Sequence, residues 1–126
     1  MVVCPTLPDL FNLGSLQDTV RLLEAAGKLP VTVGIINNLD KAGEEARIGA
    51  ATAVMEKFDM SVSNAVIHHR PEFQIAAEKG KSVTELGAKG KPAADEIRKL
   101  WRDLDGRTKR QEAPAGKPKR KAKEAK

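Results

Sequence analysis

Tyrosine is absent from this sequence, cysteine and tryptophan occur once each, and phenylalanine occurs three times. A lone cysteine, Cys4, excludes a disulfide scaffold. With aromatics at 3% of the chain, any core has to be built from aliphatic side chains. No apolar run approaches the roughly 18 residues that a membrane-spanning helix needs. The opening MVVCPTLPDLF has no positive start and is broken by prolines, unlike a secretory leader. A reducing, cytosolic setting is the expectation. A uniform charge is missing too. The 126 residues carry a formal +5, but residues 107–126 hold nine Lys or Arg against two Glu, a net of +7. The remaining 13 cations and 15 acids leave 1–106 at −2. That split excludes a uniformly basic domain. It predicts a near-neutral body over 1–106 and a disordered Lys/Arg-rich tail over 107–126, where no apolar residue exceeds alanine.

What is present alternates. The apolar start Met1 to Cys4 reads as a strand stopped by Pro5. Ser15 is the expected N-cap of a first helix, with Leu16, Val20, Leu23 and Ala26 at helical spacing and Gly27 at its end. The run VTVGII over 31–36 suits a strand covered on both faces. A polar loop, NNLDKAG, leads into a helix from Glu44 to Phe58, and 61–67 reads as a weaker strand. Pro71 opens a short helix closed by Gly80. A last helix runs from Pro92 to Leu104, with Ala93, Ile97, Leu100, Trp101 and Leu104 as its apolar stripe. This order predicts an α/β fold, a partial parallel sheet flanked by helices. Three strands make a narrow sheet with exposed edges.

Most candidate sites fail on their own chemistry. Gly80-Lys81-Ser82 looks like the end of a phosphate-binding loop. However, Ile75 stands where the motif needs glycine, and a helix precedes it where a strand should. His68 and His69 point to opposite faces if extended, so they cannot share a metal, and a surface or packing role is expected. Cys4 has no base partner and reads as a buried small residue. Asn37 and Asn38 follow a strand at the place where open α/β sheets hold ligands, and an asparagine amide can donate and accept at once on a purine edge. Arg70, with Lys79 and Lys81, offers a phosphate-contact patch. Lys117, Lys119, Arg120 and Lys121 in the tail should attract polyanions without sequence preference.

The segment VIHHRPEFQIAAEKGKSVTEL over 66–86 is similar to the carboxyl-terminal signature of ParA-type partition ATPases, the ParA/MinD-like group with a deviant Walker A loop. The shared features are arginine after the last strand, alanine six on, glycine four further, then a Ser-Val-x-Glu-Leu-like run. Residues 5–10 (PTLPDL) resemble the family's proline-bearing segment. Residues 35–40 (IINNLD) resemble its strand ending in asparagine, and 90–97 (GKPAADEI) the start of its final helix. The matches run in order over about residues 2–104. They imply the carboxyl-terminal half of a P-loop NTPase-like Rossmannoid fold. By resemblance, Asn37 matches the residue that contacts adenine and Pro5 lies beside that base. Asn38 stands where the family often has arginine. Arg70 matches an arginine that contributes to non-specific DNA binding.

The family uses ATP and Mg²⁺, forms nucleotide-sandwich homodimers, coats nucleoid DNA and answers to a ParB-type adaptor, without a membrane. The KGGxGKT-like loop and acidic switch residues that carry its chemistry have no counterpart in these 126 residues. The expectation is a truncated partition protein with no catalytic or metal-ligating residues and no cofactor of its own. The rival expectations are a stand-alone basic-tailed DNA-binding module without nucleotide, and a nonfunctional gene remnant. Lacking a phosphate cradle, the purified chain should show no Mg²⁺-dependent ATP turnover. A steady-state phosphate-release assay reading above the blank would overturn this.

Overall fold

A computed structural model describes residues 1–112, apart from the side chains of 10–12. Three parallel strands form one sheet in the order β1 (Val2–Thr6), β2 (Thr32–Ile36), β3 (Ser61–Val62). Four helices accompany them: α1 (Leu10–Ala25), α2 (Glu44–Lys57), α3 (Pro71–Glu78) and α4 (Lys91–Gln111). The predicted α/β class and partial parallel sheet are therefore present. Every residue of central β2 is buried, as its unbroken β-branched run requires.

Alternation along the strands sorts side chains into two layers. Ile36 joins Leu16, Val20, Leu29, Leu39, Ala51, Met55 and Met60 in a core between the sheet and α1 and α2, with Cys4 packed against it. Cys4 is half-buried there. On the opposite face, α3 and α4 meet through Ala76, Val83, Ala93 and Ala94, supported by Phe73, Leu86 and Ile97. Val3 and Ile35 face that side and open onto a cavity.

Several boundaries differ from expectation, each for a local reason. α1 starts at Leu10, so Ser15 lies inside the helix rather than capping it. Asp9, also a favoured capping residue type, precedes the helix, and its carbonyl accepts from the Leu13 N–H at 2.9 Å. β1 runs on through Pro5 to Thr6. It is an edge strand, where a missing N–H is tolerated. β3 is two residues long, where a strand over 61–67 was expected. The buried Ser63 hydroxyl accepts from the Ala65 N–H at 3.1 Å, a local turn that competes with the ladder. The chain rejoins the sheet at Ile67, whose N–H donates to Ile36 at 3.0 Å.

α4 continues past Leu104 to Gln111, so the expected break after Gly106 falls inside a helix. Pairs at i,i+4 support the extension, Asp103–Arg107 at 3.0 Å and Asp105–Lys109 at 3.1 Å. Arg107 also donates to the Val62 carbonyl at 3.1 Å, closing the end of β3. Trp101 is not part of the apolar stripe and is 67% exposed. Gly80, with φ near 66°, ends α3. Ser82 and Glu85 then form a capping box on a 3-10 turn, not a phosphate loop. The tail positions Lys117, Lys119, Arg120 and Lys121 lie outside the described residues.

Gly34 in β2 sits under two methionines. A Cβ built there would lie 2.5 Å from the Met55 sulfur and 3.0 Å from that of Met60. Gly34→Val should therefore cost about 1–3 kcal/mol through overpacking. Urea unfolding should show a lower midpoint at unchanged slope, whereas a wild-type midpoint would mean that this contact is slack.

Candidate functional site

The carboxyl ends of β1 and β2 lie side by side, tied by the Asn37 N–H donating to the Thr6 carbonyl at 2.9 Å. In parallel sheets this is where ligand crevices form. A cavity of about 950 Å³ opens there. Val3, Pro5 and Leu7 form one wall, and Ile35, Asn37 and Asn38 form the floor. Residues 67–71, with Phe73 and Gln74 of α3 and Ile97 and Leu100 of α4, complete it. Pro5, Asn37 and Arg70, far apart in sequence, thus meet at one cavity. Lys79 and Lys81 do not join them. They lie beyond the far end of α3, an eight-residue helix about 12 Å long.

The rim is organised by Glu96 of α4. One of its oxygens accepts the His68 backbone N–H at 3.0 Å. The other meets His68 Nδ1 at 2.5 Å and Arg70 Nη2 at 3.0 Å. The second ring nitrogen of His68 reaches Glu44, in the first turn of α2, at 2.8 Å. Burial works against the charge on Glu96, whose side chain is 14% exposed. The Arg70 bond and the two His68 donors outweigh it, so the carboxyl is held below its ordinary value of 4.5. Arg70 is raised in turn by its bond to Glu96, against its own burial. Its Nε is buried with no hydrogen-bond partner.

Arg70 is therefore mainly a partner of Glu96, and a phosphate would have to compete with that carboxylate. Asn37 keeps a half-exposed amide at the cavity. Exposed Asn38 accepts from His69 Nδ1 through its Oδ1, at 2.8 Å, and adopts a left-handed φ of 56°. The reading of the histidines as surface or packing residues missed His68. It sits half-buried between the carboxylates of Glu44 and Glu96, while His69 is exposed. Its partners come from residues 44 and 96, and no local spacing connects them. Among the described residues, no group of three His, Cys, Asp or Glu is placed to hold a metal ion. No described helix is long and apolar enough to cross a membrane.

A second anchor holds α4 further along. Asp103 accepts from the Ser63 hydroxyl at 2.7 Å and from Arg107 at 3.0 Å. Burial raises its pKa, but these donors more than offset that and hold the carboxyl below its usual range.

No family profile matches the chain. It is 26% identical over 106 residues to the maintenance of carboxysome distribution protein A of Halothiobacillus neapolitanus. The match covers 82% of this chain and 48% of that protein, so the chain spans about half the length of this relative.

Because Glu96 titrates lower in the folded state, its ionised form stabilises the fold above its ordinary value of 4.5. That contribution is lost as pH falls through the depressed value. Glu96→Gln should cost about 1–2 kcal/mol near neutrality, and the gap to wild type should narrow below the ordinary value. Chemical unfolding of both proteins near neutral and at acid pH measures this. An equal gap at both would show that ionisation of Glu96 contributes nothing.

Proposed function

We propose that the chain is the carboxyl-terminal half of a ParA-type partition or positioning protein, contributing the adenine side of a nucleotide site and part of a non-specific DNA interface. The observation that carries this reading is the convergence of Pro5 and Asn37, two positions singled out by the family resemblance, on one cavity at the carboxyl ends of parallel strands. The similarity to a carboxysome distribution protein over about half its length supports it independently.

The cavity fits the base end of an adenine nucleotide. The Asn37 amide offers a donor and an acceptor to the purine edge, while Pro5 and Ile35 supply apolar flanks. The Gly80-Lys81-Ser82 turn is taken up in the Ser82–Glu85 capping box and is not a phosphate loop. ATP with Mg²⁺ would supply its phosphoryl chemistry only with a phosphate cradle and acidic switch contributed from elsewhere. On this reading the homodimer, the ParB-type adaptor and the nucleoid location all belong to the assembled protein. The cationic tail gives the larger part of DNA attraction, and Arg70 a smaller part that Glu96 restrains.

Two measurements test the halves of the proposal. Titrating adenosine diphosphate into labelled protein should shift the amide resonances of Thr6, Asn37 and Asn38, and Asn37→Ala should weaken that binding about tenfold. Silence at these positions would leave the DNA-binding module without nucleotide as the better reading. In duplex-DNA anisotropy over a salt series, deleting 113–126 should flatten the salt slope. Arg70→Ala should weaken binding and Glu96→Gln strengthen it. If neither variant changes affinity, Arg70 is not a DNA contact.

A further inference from the structure

The contacts of His68 pose a hydrogen-bonding problem. Its Nδ1 faces Glu96 at 2.5 Å and its Nε2 faces Glu44 at 2.8 Å. An ionised carboxylate only accepts, so both contacts are satisfied only when both ring nitrogens carry hydrogen. A neutral imidazole has one N–H, and its other nitrogen would set a lone pair against a carboxylate. The arrangement therefore has two states. In one, His68 bridges α2 and α4; in the other, it holds a single helix.

The two carboxylates are not equivalent. Glu96 is 14% exposed and Glu44 37% exposed. Glu96 is also fixed by the His68 backbone N–H and by Arg70, whereas His68 is the partner that the structure gives to Glu44. The charged groups around His68 are thus Glu44 from α2, Glu96 from α4 and, through Glu96, Arg70 on its own segment. His69 turns away toward Asn38.

We infer that His68 is a proton-operated latch. Protonated, it clamps the first turn of α2 to α4; on losing a proton it keeps Glu96 and releases Glu44. The released element adjoins the cavity, because the loop leading into α2 begins at the lining residues Asn37 and Asn38. Gly43, with φ near 65° at the N-cap of α2, is a position where that loop can turn at low cost. The latch governs how the start of α2 is anchored, while Leu39 stays tied to Ile67 and His69, so it stands apart from the nucleotide reading.

The test uses the intact chain. Ring ¹⁵N shifts of His68 should change from the doubly protonated form to the Nδ1–H tautomer as pH is raised from acid to alkaline. Over the same range, hydrogen exchange at the Arg47 amide, which donates to Gly43 at 3.0 Å, should speed up roughly tenfold after correction for intrinsic rates. In Glu44→Gln the side-chain amide can donate to a neutral ring, and the pH dependence of exchange at Arg47 should vanish. An Nε2–H tautomer, exchange at Arg47 that ignores pH in wild type, or a pH dependence that survives in Glu44→Gln would each overturn the latch.

Discussion

Glu96 is the constraint on which the site depends. It projects from the second turn of α4 and collects a backbone N–H, a histidine ring and a guanidinium from the three-residue segment 68–70. That segment connects the sheet to α3, so the ion cluster fixes where α4 crosses the strand ends. Apolar contact alone would not do this. The interface of α3 and α4 rests largely on alanines, Ala76, Ala93 and Ala94, and small side chains tolerate sliding. Directional bonds to a partly buried carboxylate do not, because removing any partner leaves a desolvated charge. Asp103, bound to Ser63 and Arg107, does the same further down the helix. Between the two anchors, Ile97 and Leu100 of α4 line the cavity onto which Ile35 also opens.

Periodicity revealed the parts of the fold that periodicity controls. VTVGII suited a strand covered on both faces, and the start of α2 at Glu44 followed from acids placed in a first turn. Boundaries set by competition were less legible. Asp9 and Ser15 are both good caps, and the apolar spacing extends back to Leu13, so the earlier one prevails. β3 is cut short by a serine hydroxyl bound to residues 65 and 103, and the second of these lies forty positions away. Arg107 looked like the first residue of a charged tail, because nothing nearby in sequence shows that the Val62 carbonyl awaits it.

The site was legible in its floor and illegible in its rim. Asn37 belongs to a strand end, where topology alone predicts a crevice, whereas Pro5 in the wall was singled out only by the family resemblance. Arg70 also reached the cavity, but its main partner is a carboxylate 26 residues later, so a residue read as a free cation is a largely neutralised one. His68 was set aside on metal-ligand spacing, which does not bear on a histidine held between two glutamates from different helices.

This neutralisation bears on how the cavity would meet a polyanion. The body carries −2 over 1–106, and its cavity-side arginine is already paired. A nucleic-acid backbone approaching the cavity therefore meets little free positive potential, and long-range attraction has to come from cations elsewhere in the chain. Short-range contact at Arg70 requires exchange of one anion for another. Such an exchange gains little energy on balance, since the carboxylate lost and the phosphate gained are both charge-assisted acceptors. The availability of the guanidinium therefore depends on its neighbours: only a movement that separates Glu96 from Arg70 would free it.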